Sequence, residues 1–201
     1  MTERLDVTDL NLQMVPPVLH DQARRAFEER DALGFAWSTE NHHALALVFD
    51  NLLALRAAGM YEPALLCALT GTRANHRRWS LDVLRFMCDW ADRDRLRAAG
   101  DPLPDPGPFR LYRGVHGRGP ARKVRGLHWT SSPSTAAWFA ARWPGVHDPA
   151  VFVVTVPESV VLAYVGDRGE EDYLVMLPPD VRPRRLPTLP EPIRAGSAAT
   201  P

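Results

Sequence analysis

Four prolines in eight residues, Asp101-Pro102-Leu103-Pro104-Asp105-Pro106-Gly107-Pro108, divide this chain. Proline fixes φ and removes a backbone donor, so the stretch can be neither helix interior nor central strand. Hydrophobic patterning differs on its two sides. The expected organisation is a helical domain over residues 1–104, a strand-containing domain over 105–180, and a proline-rich, partly disordered tail over 181–201. That places the chain in the α+β class.

Before the boundary the apolar spacing is helical. Pro16-Pro17 suits a helix start, and Val18 to Leu33 reads as a charge-laced helix stopped near Gly34. Ser38 or Thr39 can cap the next helix. Its apolar face is Leu45, Val48, Phe49, Leu52 and Leu55, and Gly59 ends it. A shorter helix spans Glu62 to Leu69. Ser80 can cap a fourth, with Leu81, Leu84, Cys88 and Ala91 on one face and Arg93, Arg95 and Arg97 towards its C-terminal end, where cations suit the helix dipole.

Beyond the boundary the pattern changes to short strands. Phe109 to Val115, Leu127 to Ser131, Val151 to Val156, Val160 to Tyr164 and Asp172 to Leu177 all read as strands. Val151 to Val156 is apolar on both faces, as a covered strand should be. Ser132-Pro133 starts a helix running to Trp143.

Charge excludes some classes of function. Lysine plus arginine equals aspartate plus glutamate at 24 each, so no global field argues for nucleic acid or an anionic membrane. Hydrophobic residues at 45% suffice for a core. Residues 1–10 lack an apolar run, so no signal peptide is expected. No stretch approaches the ~18 apolar residues of a membrane span. A cytoplasmic location is the default expectation. Cys67 and Cys88 read as core thiols, with no neighbours for a zinc site. Neither a dinucleotide-binding glycine fingerprint nor a phosphate-binding loop ending in Gly-Lys-Ser/Thr is present.

Three separated pieces carry polar groups out of apolar strands. Leu111-Tyr112-Arg113-Gly114 offers a cation. Leu127-His128-Trp129-Thr130-Ser131-Ser132 offers hydroxyls. Gly169-Glu170-Glu171-Asp172-Tyr173-Leu174-Val175 offers carboxylates. Brought together, they can hold a phosphorylated sugar and stabilise positive charge on it. Taken singly, each has a plainer meaning: a surface arginine, a helix cap, a solvated turn.

In order and strand context these pieces resemble the arginine / Ser-Thr-Ser / glutamate type of the ADP-ribosyltransferase superfamily, over about the last half of the chain. The resemblance implies a compact split β-sheet core and NAD as substrate, with no metal. It implies that Arg113 and Gly114 meet the ligand on the first core strand, with Arg113 gripping a phosphate or ribose oxygen. Thr130 and Ser131 would orient the nicotinamide ribose and the acid. Trp129 or Tyr164 would stack on a ring of NAD. One of Glu170, Glu171 and Asp172 would be the catalytic acid. The family register puts Asp172 in that slot, but aspartate reaches roughly 1.5 Å less than glutamate, so Glu170 or Glu171 is favoured for reach. Strand alternation puts Glu170 and Asp172 on one face and Glu171 on the other. Only a short loop separates Arg113 from Thr130, where many family members have helices.

The expected activity is transfer of ADP-ribose from NAD to a protein, nucleic acid or small molecule, with release of nicotinamide. A second possibility is NAD hydrolysis by a toxin or phage-defence effector. A third is a non-catalytic partner-binding module on a degenerate core. Two basic clusters stand beside these readings. Arg73, His76, Arg77 and Arg78 form one. The loop from Arg118 to Arg125 forms the other, a candidate for NAD phosphates or an acidic acceptor.

Overall fold

The computed structural model of the chain describes residues 10–71, 79–166 and 171–192. The segment before residue 10, the cluster Arg73, His76, Arg77 and Arg78, the acid Glu170 and the stretch 193–201 lie outside the described residues. The chain forms two compact units, residues 1–99 and 100–201. It is a mixed α+β protein with small antiparallel sheets. No helix among the described residues is long and apolar enough to cross a membrane.

The first unit is helical. Its helices are α1 His20–Glu28, α2 Ala32–Trp37, α3 Ala44–Asp50, α4 Leu52–Ala57, α5 Tyr61–Gly71, α6 Leu81–Trp90 and α7 Arg93–Ala98. Helix α5 is the centre: it packs on α2, α3, α4 and α7. It buries Tyr61, Ala64, Leu65, Ala68 and Leu69, and a helix apolar on every side belongs inside. The Tyr61 hydroxyl donates to the Met87 carbonyl at 2.8 Å. Neither Cys67 nor Cys88 forms a disulfide.

Three expected helices are broken where a polar side chain offers the backbone an alternative. The first stops at Glu29 rather than near Gly34, with Arg30 at φ +58°. Asp31 then caps α2 by accepting from the Gly34 amide at 2.9 Å. Gly34 sits inside α2, pressed against that carboxylate. Ser38 closes α2 by donating to the Phe35 carbonyl at 2.6 Å, instead of capping the next helix. Thr39 donates to the Met14 carbonyl. The Leu45–Leu55 helix is split into α3 and α4 at Asn51, whose amide bonds the carbonyls of Leu47 and Asn11. Ser80 does cap α6, but that helix ends before Asp92, which caps a separate α7 through the Arg95 amide at 3.0 Å.

The second unit contains β1 Phe109–Val115, β2 His128–Trp129, helix α8 Pro133–Ala141, β3 Ala150–Val156, β4 Val161–Val165, β5 Asp172–Val175 and β6 Arg184–Arg185. They form two antiparallel sheets in the orders β1-β3-β6 and β2-β5-β4. The edge strands β1 and β2 meet at one bridge, where Tyr112 and Thr130 exchange both backbone hydrogen bonds at 2.7 and 2.9 Å. Leu111, Trp129, Val154, Tyr173 and Val175 belong to the core between them. Each such buried side chain contributes about 1.5–3 kcal/mol.

Helix α8 lies on the other face of β1. A Cβ at Gly114 would fall 1.8 Å from the Ala136 carbonyl oxygen. Only glycine allows that approach, and Ala136, Ala137 and Ala140 keep the helix side equally small.

The proline-rich boundary and much of the expected tail belong to this unit. Asp101 donates its amide to the Tyr164 carbonyl and accepts from the Gly166 amide at 2.7 Å. Residues 181–186 are held in this unit, because β6 pairs with β3, Leu186 donates its amide to the Val151 carbonyl and Arg125 donates to the Val181 carbonyl. Arg125 donates to the carbonyls of Val181, Leu177 and Pro178 at 2.6, 2.9 and 2.5 Å.

Candidate functional site

The two sheets bring Arg113, His128 and Asp172 together. Arg113 is the fifth residue of β1, on the side of Leu111 and Phe109. Its Nη1 donates to the His128 carbonyl at 2.6 Å, and its Nε points at the Lys123 carbonyl at 3.4 Å. The guanidinium lies against Gly126, where a Cβ would meet Nη2 at 2.1 Å. Burial lowers the Arg113 pKa to about 10, and the charge of Asp172 acts against that fall. Arg113 is thus a desolvated cation with a carboxylate as counter-charge, and a guanidinium in that state favours an added anionic oxygen.

Asp172 opens β5 and is half-buried. His128 faces Leu174 across the β2–β5 pair, so Asp172 is its diagonal neighbour on the same face. The His128 Nδ1 and Asp172 Oδ2 are 2.8 Å apart, with side chains 26% and 28% exposed. The pair is therefore held in place yet reachable from solvent.

The candidate hydroxyls differ in access. Thr130 is 6% exposed, and its hydroxyl oxygen accepts from the Ser132 amide at 3.2 Å. Ser132 caps α8 through the Thr135 amide at 3.1 Å. Ser131 is half-buried, with no hydrogen bond for its hydroxyl among the described residues. Of the three, Ser131 has the hydroxyl that a ligand can reach.

Other sequence expectations are redistributed. Glu171 is exposed and lies before the strand. Its charge is felt by Tyr164 and Tyr173, whose pKa values burial raises first and Glu171 raises further. The structure therefore brings Asp172, not Glu171, to Arg113. Trp129 is 2% exposed, and its ring N–H donates to the Gly126 carbonyl at 2.9 Å. It is a core residue and has no face for a nicotinamide or adenine ring, which corrects its assignment as a stacking platform. Tyr164 is also buried, with its ring against Tyr173 at 4.7 Å between centroids. Gly114 serves the packing of α8.

The basic loop is spent on structure more than expected. Arg122 pairs with Asp148 and donates to the Gly117 carbonyl at 2.9 Å, and Arg125 holds the chain after β5. Desolvation pushes the Asp148 carboxyl up, but Arg122 and Arg185 together hold it below the usual carboxylate range.

His128 is the residue that the sequence motif concealed. It stands two residues before Thr130, on the same face of β2. The strand parity that separated Glu171 from Asp172 would have placed it there. Among the described residues, no group of three or more histidines, cysteines or acids could hold a metal ion. Comparison with protein-family models, curated proteins and solved structures gave no match.

Proposed function

We propose that the second unit is an NAD-dependent ADP-ribosyltransferase built on a split-sheet core. One observation carries this reading: a half-buried arginine, a histidine and an acid, each from a different strand, line up through the 2.6 Å Arg113–His128 carbonyl bond and the 2.8 Å His128–Asp172 contact. The strand order supports it, since β1, β2 and β5 supply the arginine, the hydroxyl motif and the acid in that sequence.

In the reaction, the bond between the ribose C1′ and the nicotinamide nitrogen breaks. Nicotinamide leaves with the bonding electrons, and positive charge builds on the sugar. Asp172 stabilises that charge more in the transition state than in the ground state. Arg113 binds a phosphate or ribose oxygen with guanidinium N–H groups not used within the protein. Ser131 orients the ribose. The acceptor's lone pair then forms the new bond to C1′, and its proton passes to a base. His128, aligned by Asp172, is positioned for that role.

The test is nicotinamide release from NAD, followed by NMR on the purified chain. Release should vanish in Arg113→Ala and Asp172→Ala. No release with or without cell lysate, together with no NAD-dependent shift of protein signals, would sink the proposal. Adding candidate acceptors separates transfer from hydrolysis.

A further inference from the structure

A second cluster of cations lies on the opposite face of the β1-β3-β6 sheet. Alternation along β1 sends Arg110 away from the side of Leu111 and Arg113. Arg110 faces Thr155 on β3, and Val153 on β3 faces Arg184 on β6. Helix α8 covers the Gly114 end of this face. The other end is an open basin of about 380 Å³, lined by Arg110, Arg182, Arg184, Thr155, Val153 and Val181 among others.

The three arginines are exposed, and none has a carboxylate partner among the described residues. Among the described residues, no acid lines the basin. Their neighbours behave differently: Arg122 and Arg185 share Asp148, the latter at 3.0 Å. In a chain with equal positive and negative charge, this is a local and uncompensated excess. Arg110 and Arg184 stand on the two strands that flank β3; like charges on one face repel, and an anion between them relieves that repulsion.

The basin is also preformed. Arg125 ties Val181 and the turn before it, and the Arg185–Asp148 pair anchors β6. A ligand therefore does not have to order the strands that hold the arginines. The exposed Thr155 and the half-buried Val181 offer a hydroxyl and one apolar contact beside the charge. A volume within the usual ~300–1,000 Å³ of small-molecule sites points the same way.

We propose that this basin binds a small ligand carrying two or more phosphate groups, of about nucleoside-diphosphate size, at a site separate from Arg113. The site stands whether or not the ADP-ribosyl transfer occurs.

The test is titration of the full chain with inorganic pyrophosphate and with ADP, by calorimetry and amide NMR, in about 0.15 M salt. A saturable event that survives Arg113→Ala is expected, with a dissociation constant below about 1 mM. Each of Arg110→Gln, Arg182→Gln and Arg184→Gln should weaken it about tenfold. The triple variant should abolish it, with an unchanged circular dichroism spectrum because all three side chains are exposed. Arg113→Ala should leave it intact. The proposal fails if titration does not saturate, if the triple variant binds as well as the parent chain, or if Arg113→Ala alone removes binding. It also fails if a single-stranded oligonucleotide binds these arginines and pyrophosphate does not compete.

Discussion

The contrast between Asp172 and Glu171 shows how one position along a strand decides a role. Asp172 opens β5, contacts His128 at 2.8 Å and lies within the field of Arg113. Glu171, one residue earlier, is exposed and acts on Tyr164 and Tyr173. On the proposed reaction, Asp172→Asn should lower kcat for nicotinamide release by about 10²–10³-fold, and Glu171→Gln should cost less; initial rates measured with both variants check the order. Gly114 makes a second residue-scale prediction. Its missing Cβ is where the Ala136 carbonyl and the Ala140 amide lie, at 1.8 and 2.7 Å. Neither atom is the end of a flexible side chain. Gly114→Ala should destabilise the second unit by about 1–3 kcal/mol, read as a lower urea midpoint with an unchanged slope.

At the scale of elements, four of the helices, α2, α6, α7 and α8, begin with a side-chain cap. Asp31, Ser80, Asp92 and Ser132 each accept from an amide three residues on. Helix α7 has only six residues, too few to be stable by propensity. Its start also depends on Glu62, buried in α5, which accepts from the Asp92 amide at 3.0 Å and pairs with Arg95 at 3.5 Å. Asp92→Ala should cost about 1 kcal/mol and should raise amide exchange in α7 before α5. Hydrogen exchange followed residue by residue distinguishes local fraying from global loss. These caps were legible where serine preceded an apolar run, as at Ser80 and Ser132. They were missed at Asp31 and Asp92, because apolar spacing continues through a break that the cap imposes.

Across the whole molecule, both units bury groups that must stay uncharged. Burial, with a lesser push from Asp89, drives the Cys88 thiol up to about 12. Burial, followed by Glu171, Tyr164 and Asp105, drives the Tyr173 phenol up to about 12. Tyr61 is raised as well, again chiefly by burial. A group whose folded pKa is raised holds its proton more tightly when folded. Its contribution is complete below the unfolded value, about 9 for the thiol and 10 for the phenols, and is lost as pH rises towards the folded one. Stability should therefore fall steeply between about pH 9 and pH 12, and Cys88→Ala should flatten the early part of that fall. Thermal melts across this range, for the parent chain and the variant, measure the slope.

The sequence by itself determined where the chain changes character and which segments become strands. The prolines of 101–108 forbid regular structure, and period-two or wholly apolar runs leave little choice but strand at Phe109–Val115 and Ala150–Val156. It also determined that Arg113 lies in a strand and that the Thr130–Ser132 motif follows one, since both are local properties of spacing. The tertiary structure decided what depends on pairing between distant strands. The β2–β5 register selected Asp172 and added His128, while the packing of β2 into the core removed Trp129 from the list of ligand platforms. The folding of β6 onto β3 turned an expected tail into one wall of an arginine basin. These outcomes join residues 30 or more positions apart, and no local pattern encodes which of them meet.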